Sequence, residues 1–105
     1  MTISEAIQLA CEYQRAGNLQ AAELIYKKIL EVHATDPLAY TNLGDVFREN
    51  GQLDEAIIAY QKALQINPHL VEVYNNLGIT FKRKGLLDEA IVCYHHVYTL
   101  IQIKF

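Results

Sequence analysis

A shift of 34 residues lays this chain onto itself. Gly17 falls on Gly51 and Gly85, Leu19 on Leu53 and Leu87, Ala22 on Ala56 and Ala90, and Tyr26 on Tyr60 and Tyr94. Leu9, Leu43 and Leu77 superpose as well, each followed by a small residue, Ala10, Gly44 and Gly78. Tyr13, Phe47 and Phe81 share an aromatic position. Such a period constrains the fold more than any local pattern, because each unit must be one supersecondary element that buries its apolar face only by stacking on its neighbours. Three units take up 102 of the 105 residues, so one repeat domain over 1–105, with units at about 3–36, 37–70 and 71–104, is expected and a second domain is not.

Within each unit a glycine separates two stretches whose apolar residues recur at three and four, as in Leu53, Ile57, Tyr60 and Leu64. Each stretch predicts an amphipathic helix, and the pair predicts a hairpin. The glycines stand where a first helix ends, a place that favours the left-handed conformation. Asp36-Pro37 reads as an N-cap followed by a first helical position, and Asn67-Pro68 stops one helix before the next begins near His69. The expected elements are helices over 3–16, 19–33, 37–50, 53–66, 70–84 and 87–102, an all-α chain of three helix-turn-helix hairpins. Gly44, Gly78, Ala56 and Ala90 remove bulk where helix axes approach closely, while Tyr40, Tyr74, Phe47, Phe81, Tyr60 and Tyr94 supply the large buried area.

Tyr40, Leu43, Gly44, Phe47, Ala56, Tyr60, Ala63 and Pro68 together resemble the full signature of the tetratricopeptide repeat. Tyr74, Leu77, Gly78, Phe81, Ala90 and Tyr94 carry most of it again. The first unit departs with Ala6 and Ala10 in place of the aromatic and the glycine, and the third with Val97 at the alanine and Gln102 at the helix-ending proline. The resemblance implies a right-handed superhelix whose concave face, lined by the first helix of each unit, binds extended segments of partner proteins.

Counting around those helices places Ser4, Ile7, Gln8 and Cys11, then Leu38, Thr41, Asn42 and Asp45, then Glu72, Asn75, Asn76 and Ile79 toward the groove. Gln8, Asn42 and Asn76 occupy one equivalent position. A carboxamide both donates and accepts, so this row suits a peptide backbone, although a solvated Asn before Leu-Gly accounts for it equally well. The row is similar to the asparagine ladder of glycosyltransferase-associated members of the family, which raises the alternative of a piece of a longer array attached to such a domain. Members that clamp a partner's C-terminal carboxylate use basic groups and asparagines at fixed groove positions. Here those places hold Ile7, Cys11 and Glu72, with only Asn42 agreeing, and Glu72 repels a carboxylate.

Other chemistries find little support. Twelve acidic against nine basic side chains, a net charge of −3, supply no positive stripe for nucleic acid. No apolar run approaches the roughly 18 to 20 residues of a membrane span, and the opening Met1-Thr2-Ile3-Ser4-Glu5 does not read as a secretory signal, so a cytoplasmic protein is expected. Cys11 and Cys93 read as free thiols. His95 and His96 are helical neighbours and point apart; Cys93 and His96 are spaced to share an ion, but two further ligands are missing. Lys82-Arg83-Lys84 complements a helix C-terminus as a solvated run. No phosphate loop, HExxH or nucleophile elbow occurs, so no catalytic, metal or cofactor residues are assigned and a non-enzymatic protein is expected.

The sixth helix raises a second possibility. Leu87, Ile91, Tyr98 and Ile101, with Ile103 and Phe105 beyond them, leave an apolar surface at the end of the stack, where repeat arrays usually carry a polar cap. A homodimer pairing sixth helix with sixth helix is the simplest closed way to cover it.

Overall fold

Side-chain caps fix the starts of the first three helices. In the computed structural model, which describes residues 1–103, helix α1 spans Ile3–Arg15, α2 Leu19–Val32, α3 Pro37–Glu49, α4 Leu53–Ile66, α5 Val71–Lys84 and α6 Leu87–Ile103. Asp36 caps α3 by accepting from the backbone N–H groups of Leu38 and Ala39, with Pro37 at the first helical position as expected. Thr2 and Glu5 form a reciprocal capping box at the start of α1. Helix α5 begins two residues after His69 because Asn67 first turns the chain, its side-chain oxygen accepting from the His69 N–H at 3.0 Å.

The three repeat glycines adopt positive φ, +82° at Gly17, +77° at Gly51 and +87° at Gly85. At Gly51 the turn closes with Gly51 N–H to the Arg48 carbonyl and Gln52 N–H to the Phe47 carbonyl, the pairing that satisfies otherwise orphaned carbonyls at a helix end. The same pattern recurs at Gly17 and Gly85.

Each helix packs on its sequence neighbours, and α3 also touches α5, so first helices line one side and second helices the other. The fold is the all-α hairpin solenoid that the repeat predicts, and no strand occurs among the described residues. Ala10, Ala22, Tyr26, Ala39, Leu43, Ala56, Tyr60, Ala63, Val73 and Leu77 form one continuous buried core that runs through all three hairpins. Gly44 and Gly78 are required by close approach. A Cβ on Gly44 would lie 2.6 Å from the Tyr60 ring, and one on Gly78 2.7 Å from the Tyr94 ring. No described helix is long and apolar enough to cross a membrane.

Candidate functional site

The side formed by α1, α3 and α5 carries a hydrogen-bonded frame that repeats with the sequence. In the first unit the Cys11 sulfur lies 3.2 Å from the hydroxyl of Tyr26, which rises from the core of α2. Asn42 of the next hairpin points its Nδ2 at the same sulfur, 3.9 Å away. Thirty-four residues on, the Tyr60 hydroxyl donates to Asp45 Oδ1, and Asn76 Nδ2 donates to that oxygen at 3.1 Å. Arg48 Nη2 stands 3.6 Å from it as well. A buried tyrosine, a groove residue and the asparagine of the following repeat therefore form one unit that occurs twice. In the third unit Ile79 takes the place of Cys11 and Asp45 and offers no acceptor.

Electrostatics follow from burial. Desolvation pushes the Asp45 carboxyl above the ordinary carboxylate range; the Tyr60 hydrogen bond and the Arg48 charge oppose that shift, and the Glu72 and Glu49 carboxylates add to it. The Tyr60 and Tyr26 hydroxyls are both driven upward, chiefly by burial, and each is reinforced by its partner, Asp45 or Cys11. Both rings are completely buried, so the frame is anchored from the core outward.

The expected groove residues separate into two groups. Asn42, Asn76 and Asp45 are half-buried and belong to the frame, whereas Gln8 and Asn75 are exposed. Because a carboxylate only accepts, the atom that Asn76 turns toward Asp45 is its nitrogen, and its carbonyl oxygen remains able to accept. Thr41 is buried and returns its hydroxyl to the Pro37 carbonyl at 2.7 Å, so it contributes packing and not a groove donor. A cavity of about 280 Å³ opens at the first end of the groove between Cys11, Gln14, Arg15 and Glu49, and Gln14 spans it to Glu49 at 2.5 Å.

The second-helix side differs in chemistry. A cavity of about 210 Å³ between α2, α3 and α4 has Tyr40, Leu43, Phe47, Ile58 and Ala59 in its walls. Lys27 lies over the Phe47 ring and Lys62 over the Tyr40 ring, 5.7 and 5.8 Å from the centroids. His96 stacks on Tyr74 with centroids 4.5 Å apart, the counterpart of Lys62 on Tyr40 one repeat later. Cys93 is buried, and burial raises its thiol pKa. The basic run at the end of α5 is exposed but not merely solvated: Arg83 donates to the Arg48 carbonyl at 3.2 Å, and Lys84 pairs with Asp54 of α4. Among the described residues no cluster of three or more His, Cys, Asp or Glu side chains could hold a metal ion. Leu87, Ile91, Tyr98 and Ile101 are all exposed on α6; Phe105 lies outside the described residues.

Sequence reasoning placed Asn42, Asn76, Tyr26 and Tyr60 but missed that Cys11 and Asp45 join them. The signal was present, since the 34-residue shift lays Cys11 on Asp45. Two unlike residue types concealed it.

Models of the tetratricopeptide repeat match residues 25–58 and 71–102, and a further TPR repeat model matches 44–85, so together they run from residue 25 to residue 102. No curated protein matches in sequence. Among solved structures, a crystal structure of MamA superposes with a TM-score of 0.91 at 27% identity, covering 94% of this chain and 58% of its own. A crystal structure of MamA protein gives 0.88 at 27%, covering 94% and 54%. The chain thus spans little more than half the length of either. These likenesses support a protein-interaction scaffold in general terms. With the glycine-to-tyrosine contacts repeated at the family's spacing and three models agreeing along the chain, this protein belongs to the tetratricopeptide repeat family.

Proposed function

We propose that the groove formed by α1, α3 and α5 binds an extended segment of a partner protein through its main chain. The observation that supports this most is the fixed orientation of the amide row. Asn76 spends its nitrogen on Asp45, which holds its carboxamide in place, and Asn42 turns its nitrogen toward Cys11 in a longer contact, so both oxygens are left as acceptors one repeat apart. Gln8 and Asn75 add exposed amides on α1 and α5. Acceptors held at a regular spacing suit the N–H groups of an extended chain, and because they are already ordered, little side-chain entropy is lost on binding. Asp45, Glu49 and Glu72 make the middle of the groove unsuited to a carboxylate, so an internal stretch of the partner fits better than a free C-terminus.

Selection from a displayed library of extended peptides tests this reading. Binders at roughly micromolar affinity are expected, about −8 kcal/mol. Replacing both Asn42 and Asn76 by alanine should weaken them about tenfold or more, at ~1 kcal/mol for each lost acceptor, while circular dichroism shows the helices intact. A selected peptide whose affinity is the same for the double variant places the site elsewhere.

A further inference from the structure

We propose that the exposed face of α6 is a homodimer interface, in which α6 of one copy packs antiparallel against α6 of a second. This face is distinct from the groove and does not depend on it.

Inside the stack the same positions are covered. Leu19 and Leu30 on α2, and Ile57 and Leu64 on α4, are half-buried and packed against the core, with α3 or α5 lying over their helix. Their counterparts on α6 are Leu87, Ile91 and Tyr98, which stand 58%, 63% and 63% exposed. The kind of surface that seats a following hairpin on α2 and α4 recurs on α6, exposed among the described residues, and its continuity with the α2–α3 and α4–α5 interfaces marks it as a docking face.

Three features of the third unit distinguish this face from the inner interfaces. Inner interfaces are tied by Asn42 to Cys11 and by Asn76 to Asp45, but the equivalent residue here is Ile79, which gives an incoming amide nothing to bond. Gln102 replaces the proline that follows α4, and α6 accordingly runs 17 residues where α4 runs 14. That extension makes Ile101 helical, whereas its counterpart Asn67 turns the chain away.

The charges on α1 oppose head-to-tail stacking of copies. On α1 the positions that press into the preceding hairpin elsewhere in the stack hold Glu5 and Glu12, both exposed. Their counterparts are Ala39 and Val73, and Val46 and Thr80, all buried. Seating α1 of a second copy on α6 would bury two carboxylates with no counter-charge offered by Leu87, Ile91, Tyr98 or Ile101.

An α6-to-α6 contact meets neither obstacle. Leu87, Ile91, Tyr98 and Ile101 are spaced four, seven and three, and the line reads three, seven and four in reverse. An antiparallel copy therefore meets apolar with apolar along about 21 Å of helix, with a two-fold axis passing near Tyr94.

Sedimentation equilibrium of the 105-residue protein at about 100 µM should show a dimer, and Ile91→Glu and Tyr98→Glu should each weaken association roughly tenfold or more without loss of helical circular dichroism. Orientation is read by cross-linking in a Cys11→Ser, Cys93→Ala background: Leu87→Cys protein mixed with Ile101→Cys protein should form the mixed disulfide in preference to either symmetric one. If a glutamate variant fails to fold, the cross-linking result alone decides. A monomer at that concentration would leave the face to a different partner and overturn the proposal. So would growth beyond a dimer, a dimer indifferent to both glutamates, or a predominance of Leu87→Cys symmetric cross-links.

Discussion

Asn76 donates to Asp45 across 3.1 Å from one hairpin to the next, and Asn42 stands in the same relation to Cys11 at 3.9 Å. The geometry is shared while the chemistry is not: one acceptor is a carboxyl oxygen that also receives Tyr60, the other a sulfur beside Tyr26. The two hairpin interfaces therefore differ in how much polar contact adds to apolar packing.

Removing the two amides separately should expose that difference. Asn76→Ala withdraws a donor from a partly buried carboxyl and should cost about 1 to 2 kcal/mol, whereas Asn42→Ala gives up only a long contact to sulfur and should cost less than about 1 kcal/mol. Urea denaturation of the two variants side by side measures the gap; equal losses would mean that the bond to Asp45 adds nothing beyond packing.

Asp45 should make stability fall as pH rises. Its carboxyl lies above the ordinary range because burial raises it more than Tyr60 and Arg48 lower it. A carboxyl whose folded pKa exceeds its unfolded value binds more protons in the native state, so its contribution is complete below the unfolded value of about 3.9 and is lost as pH climbs through the folded one. Asp45→Asn keeps an acceptor toward Tyr60 and Asn76 but cannot ionise. The stability of Asp45→Asn relative to wild type should therefore increase from about pH 4 upward and then level off. A difference that is flat with pH, or that slopes the other way, contradicts this assignment.

How much of this could be read from the chain depends on whether a feature repeats in kind or only in place. The hairpins were legible because Gly17, Gly51 and Gly85 are one residue type at one spacing, and all three turns adopt the conformation that this residue favours. Every helix begins and ends within a residue or so of its expected position. The hydrogen-bonded frame was less legible, since Cys11 and Asp45 share a position but not a chemistry, and their partners lie 31 residues away on a different helix. Local periodicity carries no information about such a contact, which depends on how far one hairpin turns against the next. The roles of Arg83 and Lys84 were hidden for the same reason: dipole complementarity explains a basic helix end by itself, and only the stacked hairpins bring those side chains to Arg48 and Asp54.

The glycines offer the sharpest test of the packing, because the same substitution meets two different physical obstacles. At Gly44 a methyl group would enter the ring of Tyr60, which is wholly buried and held at its hydroxyl by Asp45, so neither the ring nor the helix can yield. Gly44→Ala should cost ~1 to 3 kcal/mol through overpacking. Gly78→Ala meets the Tyr94 ring at a similar distance, but that ring is only half-buried and can swing outward, so its cost should be smaller. At Gly17 nothing lies within 4 Å of the added atom, and the penalty comes from the backbone at φ +82°, about 1 kcal/mol. A double-mutant cycle separates the causes. Tyr60→Leu removes the ring that Gly44→Ala strikes, so those two changes should be strongly non-additive, whereas Gly17→Ala combined with Tyr60→Leu should add within about 0.5 kcal/mol. Additivity in the first pair would show that the close approach of α3 and α4 does not depend on the absence of a side chain at Gly44.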